Sequence, residues 1–290
     1  MNSILIIFMI NIAYAQNVIL SSGLENWNRE QLIDQYNAFL TYTRMNIISA
    51  SSILVYNLDK NGNLDTYNTS DSTITAEQYQ IMIKNLDLKS YPCLFCDATI
   101  GNCANLSDRL ENLYTHQQDF INSTLVRAKT YGWDGYTVDF EPDQSVDSAK
   151  LTAFIVDWAN QLASINKTLY IWIGGTTYYD MSVLFNTNNI KLITMNTYVN
   201  NYDDFINIAS DPLIKISNSS RLGFGLLTSE LKKINPNIVY TNVCKVFNSM
   251  PQKDITNILK WSKLTNTDSV NIWASTIPPN WYKGLHIYLS

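Results

Sequence analysis

Asp139 and Glu141 stand two residues apart at the end of an apolar stretch, Asp134-Gly135-Tyr136-Thr137-Val138-Asp139-Phe140-Glu141-Pro142. Side chains two apart on an extended strand share a face. Thr137, Asp139 and Glu141 are therefore expected to point one way, with Tyr136, Val138 and Phe140 packing the other. Two carboxyl groups converging inside an apolar strand are costly unless pairing or function holds them there. Such a pair can give and take protons. A salt-bridged pair at a sheet edge is the plain structural alternative.

Few other residues can share that work. The chain of 290 residues has two histidines, His116 and His286, and they form no ligand-like pair. That excludes a two-histidine zinc hydrolase and leaves a histidine-driven triad little to draw on. The formal net charge is −5, with no run of five like charges, so a nucleic-acid-binding face is not expected. Cys93 and Cys96 form a C-x-x-C, but Cys103 and Cys244 supply no second pair for a zinc site. Residues three apart on a strand face opposite ways, so Cys93 and Cys96 should not bridge. Cys96–Cys103 across the next loop is the favoured disulfide, with other pairings open.

These groups need a frame. Apolar residues make up 46% of the chain and aromatics 12%, enough for a sizeable core. From Asn17 onward short apolar runs alternate with helical periodicity. Strands are expected near 18–20, 46–57, 91–96, 136–141, 169–173, 192–198, 222–227 and 270–274. Capping boxes at Asn28/Gln31 and Thr75/Gln78 open two of the helices. A long helix across 110–128 is interrupted near His116 and stops at Gly132. Pro251 opens a later helix, and a short one closes the chain over 281–289. No linker or repeat interrupts the series. Eight strands separated by helices predict a single-domain (β/α)8 barrel over residues 16–290. The rival, a doubly wound open sheet with a nucleotide site, lacks its fingerprint, because Gly174-Gly175 comes late and without G-x-G-x-x-G spacing.

The first fifteen residues read as a cleaved signal peptide: Ile4–Ile12 is apolar apart from Asn11, and Ala13-Tyr14-Ala15 is an A-x-A pattern. Asn68, Asn105, Asn122, Asn166 and Asn218 each open an N-x-[ST] sequon. The expected location is therefore outside the cell or in a lysosomal or vacuolar lumen, with no membrane attachment after cleavage.

The stretch DGYTVDFE resembles the strand-four signature D-G-x-D-x-D-x-E of the family-18 glycoside hydrolases, the chitinases and their relatives, and departs from it only at Thr137. Three further stretches are similar to that family in the right order: Met195-Asn196-Thr197-Tyr198 to its sixth strand, Arg221–Leu226 to its seventh and Val270–Ala274 to its eighth. The usual Met-x-Tyr-Asp is altered here, since Thr197 separates Asn196 from Tyr198 and Val199 follows. The resemblance implies a (β/α)8 barrel that hydrolyses β-1,4 bonds of N-acetylglucosamine-containing glycans without a cofactor, as a monomer. It implies that Glu141 is the general acid and base, and that the substrate's own acetamido oxygen is the nucleophile. Asp139 would orient that group and Tyr198 hold its oxygen. Trp273 would stack on the sugar, with Asp134, Thr137 and Asn196 also lining the substrate site. An ordinary core role is the alternative for Trp273.

Threonine at 137 removes the like charge the family places beneath Asp139. Asp139 is therefore expected to stay ionised to lower pH, with slower turnover than the full motif supports. A silent glycan-binding protein and a barrel hydrolase acting on another sugar are the competing readings.

Overall fold

The computed structural model describes residues 16–23, 28–67, 73–98, 103–142, 146–173, 178–195, 201–209, 221–227, 250–273 and 277–290. In chain order the elements are β1 (Asn17–Ser22), α1 (Arg29–Arg44), β2 (Ala50–Leu58), β3 (Leu64–Thr66), α2 (Ala76–Lys84), β4 (Lys89–Ser90) and β5 (Cys93–Asp97). Then come α3 (Leu106–Thr115), α4 (Gln117–Tyr131), β6 (Gly135–Glu141), α5 (Ser148–Ala163), β7 (Thr168–Ile173), α6 (Met181–Asn186) and β8 (Ile190–Met195). The series ends with α7 (Tyr202–Ala209), β9 (Leu222–Leu227), α8 (Gln252–Leu264), β10 (Ser269–Trp273) and α9 (Pro279–Leu289). The expected signal peptide, and Asn196, Tyr198, Asn68 and Asn218, lie outside the described residues.

Eight strands, β1, β2, β5, β6, β7, β8, β9 and β10, pair in parallel, and β1 meets both β10 and β2, which closes the sheet into a (β/α)8 barrel. Closure gives the sheet two environments. Ile19, Ala50, Tyr91, Tyr170, Trp172 and Ile193 pack together in one cluster inside the barrel. The other face, with Val18, Leu20, Val138, Phe140 and Ile171, packs against the helices. Buried on both faces, these strands read as continuous apolar runs.

The helices begin and end where local chemistry predicts. Asn28 with Gln31, and Thr75 with Gln78, make reciprocal capping boxes at α1 and α2. His116 separates α3 from α4, and Gly132 ends α4 in the left-handed region at φ 69°. Two short strands were not expected. β3 folds back antiparallel on the far end of β2, across a turn in which the Asp59 carboxylate accepts from the N–H groups of Asn61 and Asn63. β4 spans only two residues and pairs with the start of β2. Strands of two or three residues carry too little alternation to be recognised as strands.

The inner wall is polarised along the barrel axis. At its N-terminal end Asp268 accepts from the Tyr170 hydroxyl at 2.8 Å and pairs with the Lys191 ammonium at 2.8 Å. Lys89 donates nearby to Asn17 at 3.1 Å. Midway, Trp172 lies across the wall against β9, where a Cβ on Gly225 would stand 2.2 Å from the indole ring.

Gly135 explains the glycine that follows Asp134. Its φ is 155°, and a Cβ there would lie 1.8 Å from the carbonyl oxygen of Thr168 on β7. A side chain at this position displaces backbone, and with it the β6–β7 register. Gly135→Ala is expected to destabilise the fold by about 2–3 kcal/mol, in the range of overpacked cores. A urea midpoint equal to that of the parent would show that β6 accommodates the methyl group.

Candidate active site

β6 carries the central groups. Thr137 and Asp139 are buried in the barrel, and Glu141 is half-buried at the C-terminal end of the strand, where barrel enzymes place their reacting groups. The outward residues hold the strand in place. The Tyr136 hydroxyl donates to the Thr124 carbonyl of α4 at 2.7 Å, and its ring lies 5.6 Å from that of Trp158 on α5. These contacts fix which way the carboxylates face.

The neighbouring strand adds a third acid. β5 and β6 run in register, Cys93 beside Thr137, Phe95 beside Asp139 and Asp97 beside Glu141. Asp97 is 6% exposed and Asp139 5%. Among the described residues no salt bridge involves Asp139 or Glu141. Burial, then the charges of Glu141 and Asp97, push the Asp139 carboxyl well above the usual carboxylate range. Burial, then Asp97, pushes Glu141 up as well. The carboxyl groups titrate as a coupled set.

Thr137 removes a like charge from β6, while desolvation and the acids at the mouth still hold the Asp139 carboxyl above the ordinary carboxylate range. Thr137 itself is fully buried, shares a 2.6 Å hydrogen bond with Ser52 of β2 and faces the Tyr91 carbonyl at 3.4 Å. It lies in the barrel wall beneath Asp139. The Asp134 carboxylate accepts from the Ser90 N–H at 2.8 Å and its own N–H donates to the Ser90 carbonyl at 2.8 Å. Asp134 braces the N-terminal end of β6, about 23 Å along the strand from Glu141 at some 3.3 Å per residue.

Trp273 ends β10 half-buried, its ring 6.3 Å from Trp172 at 87° and 6.5 Å from Phe95 at 45°. It belongs both to the inner apolar wall and to the rim, with one part available to the mouth. Tyr179, just before α6, contributes a buried hydroxyl without a hydrogen-bond partner among the described residues, and the charge of Asp139 acts on it. Phe95, Asp97, Trp172 and Tyr179 were not singled out in the sequence. The alternation that exposes Thr137, Asp139 and Glu141 also joins Cys93, Phe95 and Asp97, once the third strand is carried one residue beyond Cys96.

Cys96 and Cys103 form a disulfide with Cα atoms 5.2 Å apart, and Cys93 is a free, buried thiol. Asn105, Asn122 and Asn166 are exposed. Among the described residues no cluster of His, Cys, Asp or Glu is arranged to hold a metal ion, and no helix is long and apolar enough to cross a membrane.

No family model matches the sequence, and no curated protein does. Solved structures do. The fold is similar to that of a chitinase from Chromobacterium violaceum, with a TM-score of 0.70 over 94% of this chain and 99% of that one, at 12% identity. A GH18 chitinase from Flavobacterium johnsoniae matches at a TM-score of 0.62 and 14% identity, covering 93% of this chain and 94% of its own. A chitinase-like agglutinin from Robinia pseudoacacia matches at 0.63 and 13%, covering 92% and 99%. The chain shares the barrel fold of chitinases and chitinase-like proteins.

Proposed function

We propose that this protein is a secreted glycosidase that cleaves β-1,4 bonds in N-acetylglucosamine-containing glycans. The observation that carries the proposal is the pair on β6: Glu141 at the mouth, with its proton retained by burial and by Asp97, and Asp139 buried one strand repeat below. A carboxylic acid held toward its protonated form by burial and a neighbouring charge can protonate a leaving oxygen. The chitinase neighbours and the DGYTVDFE stretch favour this chemistry over that of other barrel hydrolases.

In this reading Glu141 donates its proton to the glycosidic oxygen as the bond to the anomeric carbon breaks. The acetamido oxygen of the same sugar attacks that carbon, so the intermediate is a cyclic oxazolinium and no enzyme carboxylate becomes covalently bound. Asp139, ionised in the reacting complex, accepts a hydrogen bond from the acetamide N–H and balances the positive charge. Water, deprotonated by Glu141, then opens the ring with net retention. Trp273 supports the apolar face of the sugar, with Tyr198 and Asn196 on its acetamido side. The reaction needs no cofactor. The signal-peptide pattern and the sequons support a secreted or lumenal glycoprotein.

The agglutinin neighbour favours a second reading, a lectin on the same barrel. Incubation with N-acetylglucosamine oligomers and mass analysis of the products separates the two readings, because a lectin returns the oligomers intact. Glu141→Gln is expected to lose at least about a hundredfold in turnover while still binding the oligomers. Glucose oligomers of equal length, lacking the acetamide, should not be cleaved, and their rapid hydrolysis would point to another sugar chemistry.

Asp139 should show the opposing demands of function and stability. Its raised folded pKa means that the folded state holds a proton the unfolded chain has released. Stability from this group is full below the unfolded carboxyl range near pH 4 and declines as pH rises toward the folded value. Asp139→Asn should therefore raise the melting temperature by a few degrees at pH 7. The gain should vanish toward pH 4, and activity should be lost. A melting temperature unchanged at both pH values would place Asp139 in a solvated site.

A further inference from the structure

Among the described residues, Asp97 is the one carboxylate beside the Asp139–Glu141 pair for which the proposed chemistry gives no role. Its position is closely fixed. Immediately before it, Cys96 is tied to Cys103, and immediately after it the Ala98 N–H donates to the Glu141 carbonyl at 3.1 Å. Between these tethers, register sets Asp97 beside Glu141 on the inner face of an adjacent strand. Adjacent strands lie about 4.8 Å apart, so paired inward side chains are close neighbours. A 6% exposed acid beside two others raises the cost of ionising its neighbours.

We propose that Asp97 acts through Glu141, as the charged neighbour that decides over what range of pH Glu141 holds its proton. It is a positioning residue for the acid step and rests on the reading of Glu141 as that acid. The electrostatic surroundings leave few rivals for the role. Glu141 faces Asp97 from β5 and Asp139 from its own strand, while Asp139 also faces the Cys93 thiol and the Tyr179 hydroxyl. The other inner-wall residues near this end, Ser21, Phe95, Trp172 and Trp273, carry no charge. The lysines of the inner wall, Lys89 and Lys191, are engaged at the opposite end. Asp139 alone cannot serve, because it is itself pushed toward the neutral form and then contributes no repulsion. Asp97 supplies the negative charge that disfavours ionisation of Glu141.

The sign of the effect is definite. Removing the Asp97 charge lowers the pH at which Glu141 ionises, so the acid form is lost sooner as pH rises. Direct carbon-13 carboxyl titration of the full chain tests this without substrate, with the Glu141 resonance identified by its absence in Glu141→Gln. In Asp97→Asn, or Asp97→Ser if the amide impairs folding, the Glu141 midpoint should fall by about one pH unit, and in Asp97→Glu it should stay close to the parent. On N-acetylglucosamine oligomers the alkaline limb of kcat/KM should move down by the same amount, with kcat on the acid plateau largely retained. An unchanged Glu141 midpoint in the neutral variants overturns the inference. If the parent cleaves no oligomer, the functional reading fails while the titration still decides the role of Asp97.

Discussion

Carboxyl groups that face one another across adjacent parallel strands cannot all ionise inside a barrel mouth, and the arrangement of this protein follows from that constraint. Each negative charge raises the cost of the next, and the surrounding wall of Phe95, Trp172 and Trp273 offers little solvation. The energy that would otherwise separate them is opposed by the sheet. β5 and β6 are hydrogen-bonded in register along five residue pairs, and the outward faces of both strands are buried against the helices. Neither strand can slip by one residue without turning its apolar set inward and its acids outward.

The same sheet explains why chemistry is confined to one end. Toward the N-terminal end the inner wall is neutralised by Asp268 with Lys191 and by Lys89 on Asn17. In the middle it is closed by large rings, among them Tyr91 and Tyr170, whose centroids are 5.0 Å apart. At the C-terminal end Asp139 and Glu141 make no salt bridge among the described residues. Burial pushes both toward their neutral forms, and rigid strands make that burial tolerable.

Much of this could be read from the residues alone. The alternation of apolar runs and helical periods predicts the eight barrel strands, and the capping residues Asn28, Thr75 and Gly132 mark helix ends that the fold reproduces. The two-residue period within β6 places Thr137, Asp139 and Glu141 correctly relative to the core. What escaped depends on relations between strands. The charge state of Asp139 is set partly by Asp97, forty-two positions earlier in the chain and adjacent only because of the β5–β6 pairing. Thr137 looked like a missing charge from within its own strand. From Ser52 of β2 it is a hydrogen-bond partner. Asp134, conspicuous beside Gly135, serves the opposite end of the barrel through Ser90.

Trp172 lying over Gly225 has a consequence for traffic. With that indole and the tyrosines below it filling the lumen, the described barrel wall offers no bore through which a polymer could be drawn. Under the proposed function, a glycan that reaches the carboxylates would lie as a chord across the rim, and both fragments would depart from the face by which the chain arrived. The length of chain accepted is then a property of the loops above the rim. The barrel beneath governs only the few atoms around the bond that breaks.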